Sequence, residues 1–178
     1  AYFVFVIIMF ASCTQDVDFD QARDYVLTPV VESSLVFFDE SVPSFLDSGV
    51  EIEIIQDFVE IDFFNGDFIV DNLVKAEFNF DTLNSISRRF ELRVDMIDEA
   101  NQLQHTFTLI QEASPDGDDL PSSYVESFED ESLEALKNTS IIVFTYRLLP
   151  GPEISTDSKG KIQMKSKAVF YFEIADTL

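Results

Sequence analysis

The chain has one cysteine, Cys13, and no tryptophan. A single thiol excludes any disulfide within the chain, so the folded state must be held by its core alone. Eleven lysines and arginines stand against thirty-four aspartates and glutamates, and the formal net charge of -23 opposes any approach to a polyphosphate backbone. Nucleic acid is therefore excluded as a partner. With one histidine, His105, and no thiol beyond Cys13, a zinc site or a Cys–His pair lacks ready partners. The sequence also lacks a G-x-S-x-G elbow and a glycine-rich phosphate loop. No apolar run is long enough to span a membrane: the longest, Tyr2 to Phe10, covers about 1.5 Å per residue against a hydrocarbon core of about 30 Å.

What is present is phenylalanine, nineteen of them with five tyrosines, set in short segments of alternating character that suit strands. A chain of 178 residues has the size of one domain. Leu35 to Phe38 are expected to start the first strand. Ile52 and Ile54 then alternate with Glu51 and Glu53, and Val59, Ile61 and Phe63 with Glu60 and Asp62, before a tight turn at Asn65-Gly66. After a turn around Asp71-Asn72, Val74, Ala76, Phe78 and Phe80 are expected to face inward. Phe90, Leu92, Val94 and Met96 repeat the pattern, and so does the stretch from Leu103 to Leu109, with His105 on its inner face.

Residues 114–123 read as a loop, and Ser127 to Lys137 as the one helix, with an apolar stripe of Phe128, Leu133 and Leu136 closed by Asn138. Two strands finish the chain. Ile142, Phe144, Tyr146 and Leu148 share one face of the first; Ile162, Met164, Ala168, Phe170, Phe172 and Ile174 share one face of the second. About eight strands at hairpin spacing with one short helix predict an all-β fold, an antiparallel β-sandwich of immunoglobulin-like or Greek-key type. Strand order is not readable from these patterns.

The first thirteen residues differ from the rest. The run YFVFVIIMF has the length of a signal-peptide core, small residues Ala11 and Ser12 follow it, and no charged residue precedes Cys13 while Asp16, Asp18, Asp20 and Asp24 come soon after. The residues alone leave three readings: a cleaved export leader, an uncleaved anchor, and a buried strand with a chance cysteine. Phe10-Ala11-Ser12-Cys13 resembles the lipobox of bacterial lipoproteins. That resemblance implies acylation of Cys13, which would then be the mature N-terminus. Several acyl chains at about 0.8 kcal/mol per buried CH2 would anchor the protein without a transmembrane helix. The segment CTQDVDFDQ is similar to the acidic tract behind the cysteine of Bacteroidetes surface lipoproteins, and Thr14 is not the aspartate that retains lipoproteins in the inner membrane. The resemblance thus implies an outer-membrane destination, on the cell surface or the periplasmic face. Residues 1–12 are read as a signal peptide clipped at its start, 13–32 as an acidic lipid-anchored tether, and 33–178 as the sandwich.

Candidate chemistry is sparse. Asp16, Asp18 and Asp20 share the first spacings of an EF-hand loop, but Gln21 stands where glycine is required and Leu27 where the bidentate glutamate belongs. Asp116, Asp118 and Asp119 around Gly117 are the remaining calcium candidates, against an ordinary turn. No other metal or cofactor is expected. Asp81-Thr82-Leu83 resembles the O-glycosylation triplet of Bacteroidetes envelope proteins, which makes Thr82 a candidate acceptor. Thirty-four acids always contain some pair at glycosidase separation, so their abundance carries no information. The expectation is a non-catalytic lipid-anchored envelope protein whose sandwich is a binding or structural module, docking on an envelope complex or a glycan. The alternative is a lipid-anchored glycan hydrolase using paired carboxylates. A solid core with an exposed apolar edge would favour the first, and a pocket with two convergent acids, one strongly desolvated, the second.

Overall fold

A computed structural model describes residues 26–175. Cys13, the leader and the Asp16–Asp20 triplet lie outside the described residues. In chain order the elements are β1 (Val26–Leu27), β2 (Val30–Ser41), a 3-10 turn (Val42–Phe45), β3 (Leu46–Asp47), β4 (Val50–Glu51), β5 (Ile54–Glu60) and α1 (Asp67–Asn72). They continue as β6 (Leu73–Asn84), β7 (Phe90–Ile97), β8 (Leu103–Gln111), β9 (Leu120–Phe128), α2 (Asp130–Lys137), β10 (Ile141–Leu148), β11 (Lys161–Phe172) and β12 (Ile174–Ala175). The ribbon of β1 with β12 belongs to one unit, and residues 28–173 form the other.

The larger unit holds two four-stranded antiparallel sheets, ordered β2-β11-β6-β9 and β5-β10-β7-β8. The expected antiparallel β-sandwich is therefore present. Its ladders nest: β2 pairs with β11, β5 with β10, β6 with β9, and β7 with β8, so the first strand of the unit meets its last and the hairpin β7–β8 sits at the tip. One long antiparallel ribbon wrapped on itself in this way is a jelly roll, the double Greek key. Of the two expected types it is the Greek key, not the immunoglobulin-like one.

Alternation sorts the side chains as expected over most of the fold. Phe90, Leu92, Val94 and Met96 are fully buried, as are Ile162, Met164, Ala168, Phe170 and Phe172 opposite them. Buried rings meet edge to face or tilted, Phe78 on Phe128 at 4.8 Å and Phe80 on Phe107 at 5.6 Å between centroids. Helix α2 packs Leu133 and Leu136 inward, has Asp130 and Glu131 in its first turn, and ends at Asn138. Its start is three residues later than expected, because Ser127 and Phe128 still pair with β6.

Other boundaries shift for identifiable reasons. β2 begins at Val30, ahead of Leu35, and takes residues 30–32 from the segment read as a tether, since Val30 to Glu32 pair with Tyr171 to Val169. In β6 the inward residue is Leu73 and Val74 is exposed: the ladder with β11 slips between Tyr171 and Phe172, which reverses the alternation there. The expected turn at Asp71-Asn72 is the end of α1, and Gly66, with φ of -70°, precedes that helix instead of making a hairpin turn. The loop after Gln111 ends at Leu120, so Pro121 to Ser123 lie in β9. A proline is tolerated there because β9 is an edge strand.

Candidate binding cleft at the open flank

Each sheet has two edges, and the two flanks of the sandwich are finished differently. On one flank β8 and β9 lie at the edges, and side chains tie them together. His105 Nε2 lies 2.6 Å from Glu126 Oε1, and the Tyr124 hydroxyl donates to Glu126 Oε2 at 2.5 Å. The Tyr124 ring stacks on Phe107, and the His105 ring meets Phe128 edge on. Burial, and then the hydrogen bond to Glu126, push the Tyr124 phenol up to about 12. His105 is thus a rim histidine that joins two sheets.

On the other flank β2 and β5 stand at the edges with no such closure among the described residues. Between them runs a cleft of about 570 Å³. Phe38 and Glu40 of β2 form one wall, Ile55, Asp57 and Val59 of β5 the other, and Phe144, Tyr146 and Met164 the floor. Phe38 stacks on Tyr146 at 4.6 Å and 11°. The Tyr146 hydroxyl donates to Met164 Sδ at 3.4 Å, and its burial raises the phenol well above the usual range. Behind the cleft lies an apolar void of about 30 Å³ between Val36, Val59, Phe78 and Phe144.

The register explains why this wall is bare. Val59 pairs with Ile142, Asp57 with Phe144 and Ile55 with Tyr146, so these three residues of β5 share the interior face of β10. Yet Val59 is 44 % exposed, because nothing among the described residues covers that face. Val59 and Ile61 thus face inward as their alternation requires without being buried like core residues, while Phe63 lies beyond the end of the strand and is exposed. The backbone is bare as well. Leu148 N–H donates to the Glu53 carbonyl and Ile61 N–H to the Ser140 carbonyl. The antiparallel alternation between those two bonds turns the peptide groups of Ile54, Gln56, Phe58 and Glu60 toward the open side. Only Phe58 has its N–H occupied locally, donating to Asp57 Oδ1 at 2.8 Å.

Two further clusters brace the fold away from the cleft. Arg88, 7 % exposed, pairs with Glu51 through both terminal nitrogens at 3.1 and 3.3 Å and donates to the carbonyls of Leu149, Gly151 and Pro152. Glu51 Oε1 also takes the Ile154 N–H, so this ion pair fixes the β10–β11 connection. On the outer face of the β2-containing sheet, Lys75 bridges Glu129 at 2.9 Å and Glu77 at 3.0 Å, beneath the Tyr171 ring. The hydrogen bond that Lys75 donates lowers the Glu77 carboxyl below its ordinary value, and those it donates to Glu129 and Glu77 raise the lysine.

The residues singled out from sequence do not converge with the cleft. Asp116, Asp118 and Asp119 are exposed on a turn in which Gly117, at φ +77°, carries the backbone and the Ser114 hydroxyl donates to the Asp118 carbonyl. Among the described residues no three acids, histidines or cysteines gather as a metal would require. Thr82 is 5 % exposed in an interior strand and donates its hydroxyl to the Ser122 carbonyl. Cys13 lies outside the described residues. Glu40 and Asp57 were missed; the legible signal was an acid at an inward position of an otherwise apolar alternation, Ile55-Asp57-Val59.

No family model matches the chain, and no curated protein does. Among solved structures, a protein of Parabacteroides distasonis that is held to be secreted aligns at 12 % identity with a TM-score of 0.45, over 66 % of this chain and 37 % of its own. Infectious bursal disease virus, Gx strain, aligns at 8 % identity and 0.45, over 87 % of this chain and 34 % of that one. The VP2 subviral particle of the same virus aligns at 10 % and 0.43, over 83 % and 38 %. The chain thus spans little more than a third of the length of these structures, and the fold assignment rests on its own strand order. No helix among the described residues is long and apolar enough to cross a membrane.

Proposed function

We propose that the protein is a non-catalytic, lipid-anchored envelope protein of the outer membrane, with the β-sandwich as a binding or structural module. The observation that supports a binding role is the bare interior face of β5, where Val59 is 44 % exposed above a cleft floored by Phe144 and Tyr146. A globular domain that needs no partner closes such a face, as the opposite flank does with His105, Glu126 and Tyr124. Anchoring rests on the lipobox-like Phe10-Ala11-Ser12-Cys13.

The glycan-hydrolase alternative would have to use Glu40 and Asp57, which line opposite walls of the cleft. Asp57 is exposed and already holds the Phe58 N–H, and Glu40 accepts the Ser44 hydroxyl. A general acid working near neutral pH needs a carboxyl withdrawn from water, and neither residue is buried. The geometry therefore favours binding.

The test is metabolic labelling with an alkyne fatty acid, followed by membrane fractionation, on the natural chain and on Cys13→Ala. Label and membrane association are expected in the first and lost together in the second. Equal behaviour of the two chains rejects the anchor.

A further inference from the structure

We propose that the open flank takes up an extended strand of alternating basic and apolar residues from another protein, added to the free edge of β5. This deepens the binding reading above and rests on it. Three observations converge. First, the peptide groups of Ile54, Gln56 and Glu60 face outward with no partner strand among the described residues, which is the hydrogen-bonding surface that strand addition uses. Second, a strand laid beside β5 continues its pleat, so every other side chain turns into the cleft against Phe38 and Phe144 and covers Val59.

Third, the charge of the cleft selects the partner. Among the described residues that line it, Asp39, Glu40 and Asp57 are charged, and none is a lysine or arginine. A cationic side chain entering between Glu40 and Asp57 meets acids on both walls. Asp57 has a second role there: its Oδ1 occupies the Phe58 N–H and so protects the edge from indiscriminate pairing. A lysine or arginine that engages Asp57 releases that N–H for the incoming strand. A second copy of this chain does not fit, since its own edges bring Glu32, Asp39, Glu40, Asp57 and Glu60 and a net charge of -23 against the same acids.

The experiment uses the full chain in a non-ionic detergent and fluorescence anisotropy with three short labelled peptides: alternating Lys-Val, alternating Glu-Val, and the Lys-Val composition rearranged into blocks. The alternating Lys-Val peptide is expected to bind at least about tenfold more tightly than either control, and to weaken as salt rises. Phe58→Pro removes an outward-facing donor that β10 does not use, and the pair Asp57→Asn with Glu40→Gln keeps the fold while removing the charge. Each is expected to cost about tenfold in affinity. Equal binding of the blocked peptide means diffuse charge attraction and overturns the proposal, as does unchanged affinity in both variants. A doubled mass in sedimentation that Phe58→Pro reverses makes the occupant a second copy and also overturns it. Failure of peptide binding with Cys13 labelling intact leaves the envelope anchor standing; loss of labelling with peptide binding intact does the converse.

Discussion

The Ser166 hydroxyl donates to the Val36 carbonyl at 2.8 Å and accepts the Val36 N–H at 2.9 Å. One side chain thereby satisfies both peptide groups that the bulge in β2 leaves without a backbone partner: Leu35 and Val36 together stand opposite Ser166, between the pairs Ser34–Lys167 and Phe37–Lys165. The extra residue reverses the alternation of β2, so that Phe38 turns inward to stack on Tyr146 while Phe37 turns out beside Lys165. The wall of the cleft is built by this bulge.

Replacing Ser166 by alanine strips both of those partners from Val36 in a part-buried position. The expected loss is about 1–3 kcal/mol of unfolding free energy, the cost of leaving buried peptide groups unsatisfied. Denaturant unfolding of Ser166→Ala against the parent measures it, and Ser166→Thr, which keeps the hydroxyl, should recover much of the loss.

Arg88 and Glu51 supply a second prediction. Removing either partner alone leaves a poorly solvated charge facing the carbonyls of Leu149 to Pro152 or the Ile154 N–H. Arg88→Met or Glu51→Gln is expected to cost about 3–5 kcal/mol, while the double variant should lose less than the sum of the two. A double-mutant cycle by thermal or denaturant unfolding reads the coupling, and strict additivity would show that the pair contributes nothing beyond its separate contacts.

Alkaline pH probes the closed flank. Burial and the hydrogen bond to Glu126 push the Tyr124 phenol up to about 12 in the folded protein, against 10.0 for a free tyrosine. The folded state therefore binds more protons than the unfolded chain between those values, so its contribution is whole below pH 10 and is lost as pH rises toward 12. Discounted for solvent screening, the loss should be about 1 kcal/mol. Tyr124→Phe should flatten the fall in unfolding free energy across that window, with the remaining slope due to groups such as Tyr146, which burial also raises. A slope identical to the parent's would contradict this.

Most of the interior was legible in the sequence because period-two alternation is a local property. Phe90 to Met96 and Ile162 to Phe172 each announce a buried face from their own spacing. The misreadings fall where a partner strand changes the local rule. Val74 follows from the slip opposite Tyr171 and Phe172, and the early start of β2 from pairing with Val169 to Tyr171, more than a hundred residues away in sequence. The cleft was not legible for the same reason. Val59 alternates like a core residue, and only the absence of a covering neighbour among the described residues makes it surface.

The sequence by itself determined the class of fold, the sides of most strands and the exclusion of an internal disulfide, since each depends on composition or on residues adjacent in the chain. The tertiary structure decided which strands are neighbours, where the bulge opposite Ser166 falls, and which flank is closed. Pairing the first strand of the sandwich with its last, and leaving β5 beside β2 with an edge unpaired among the described residues, depends on contacts between segments whose local patterns are alike; alternation names a face, but not what covers it.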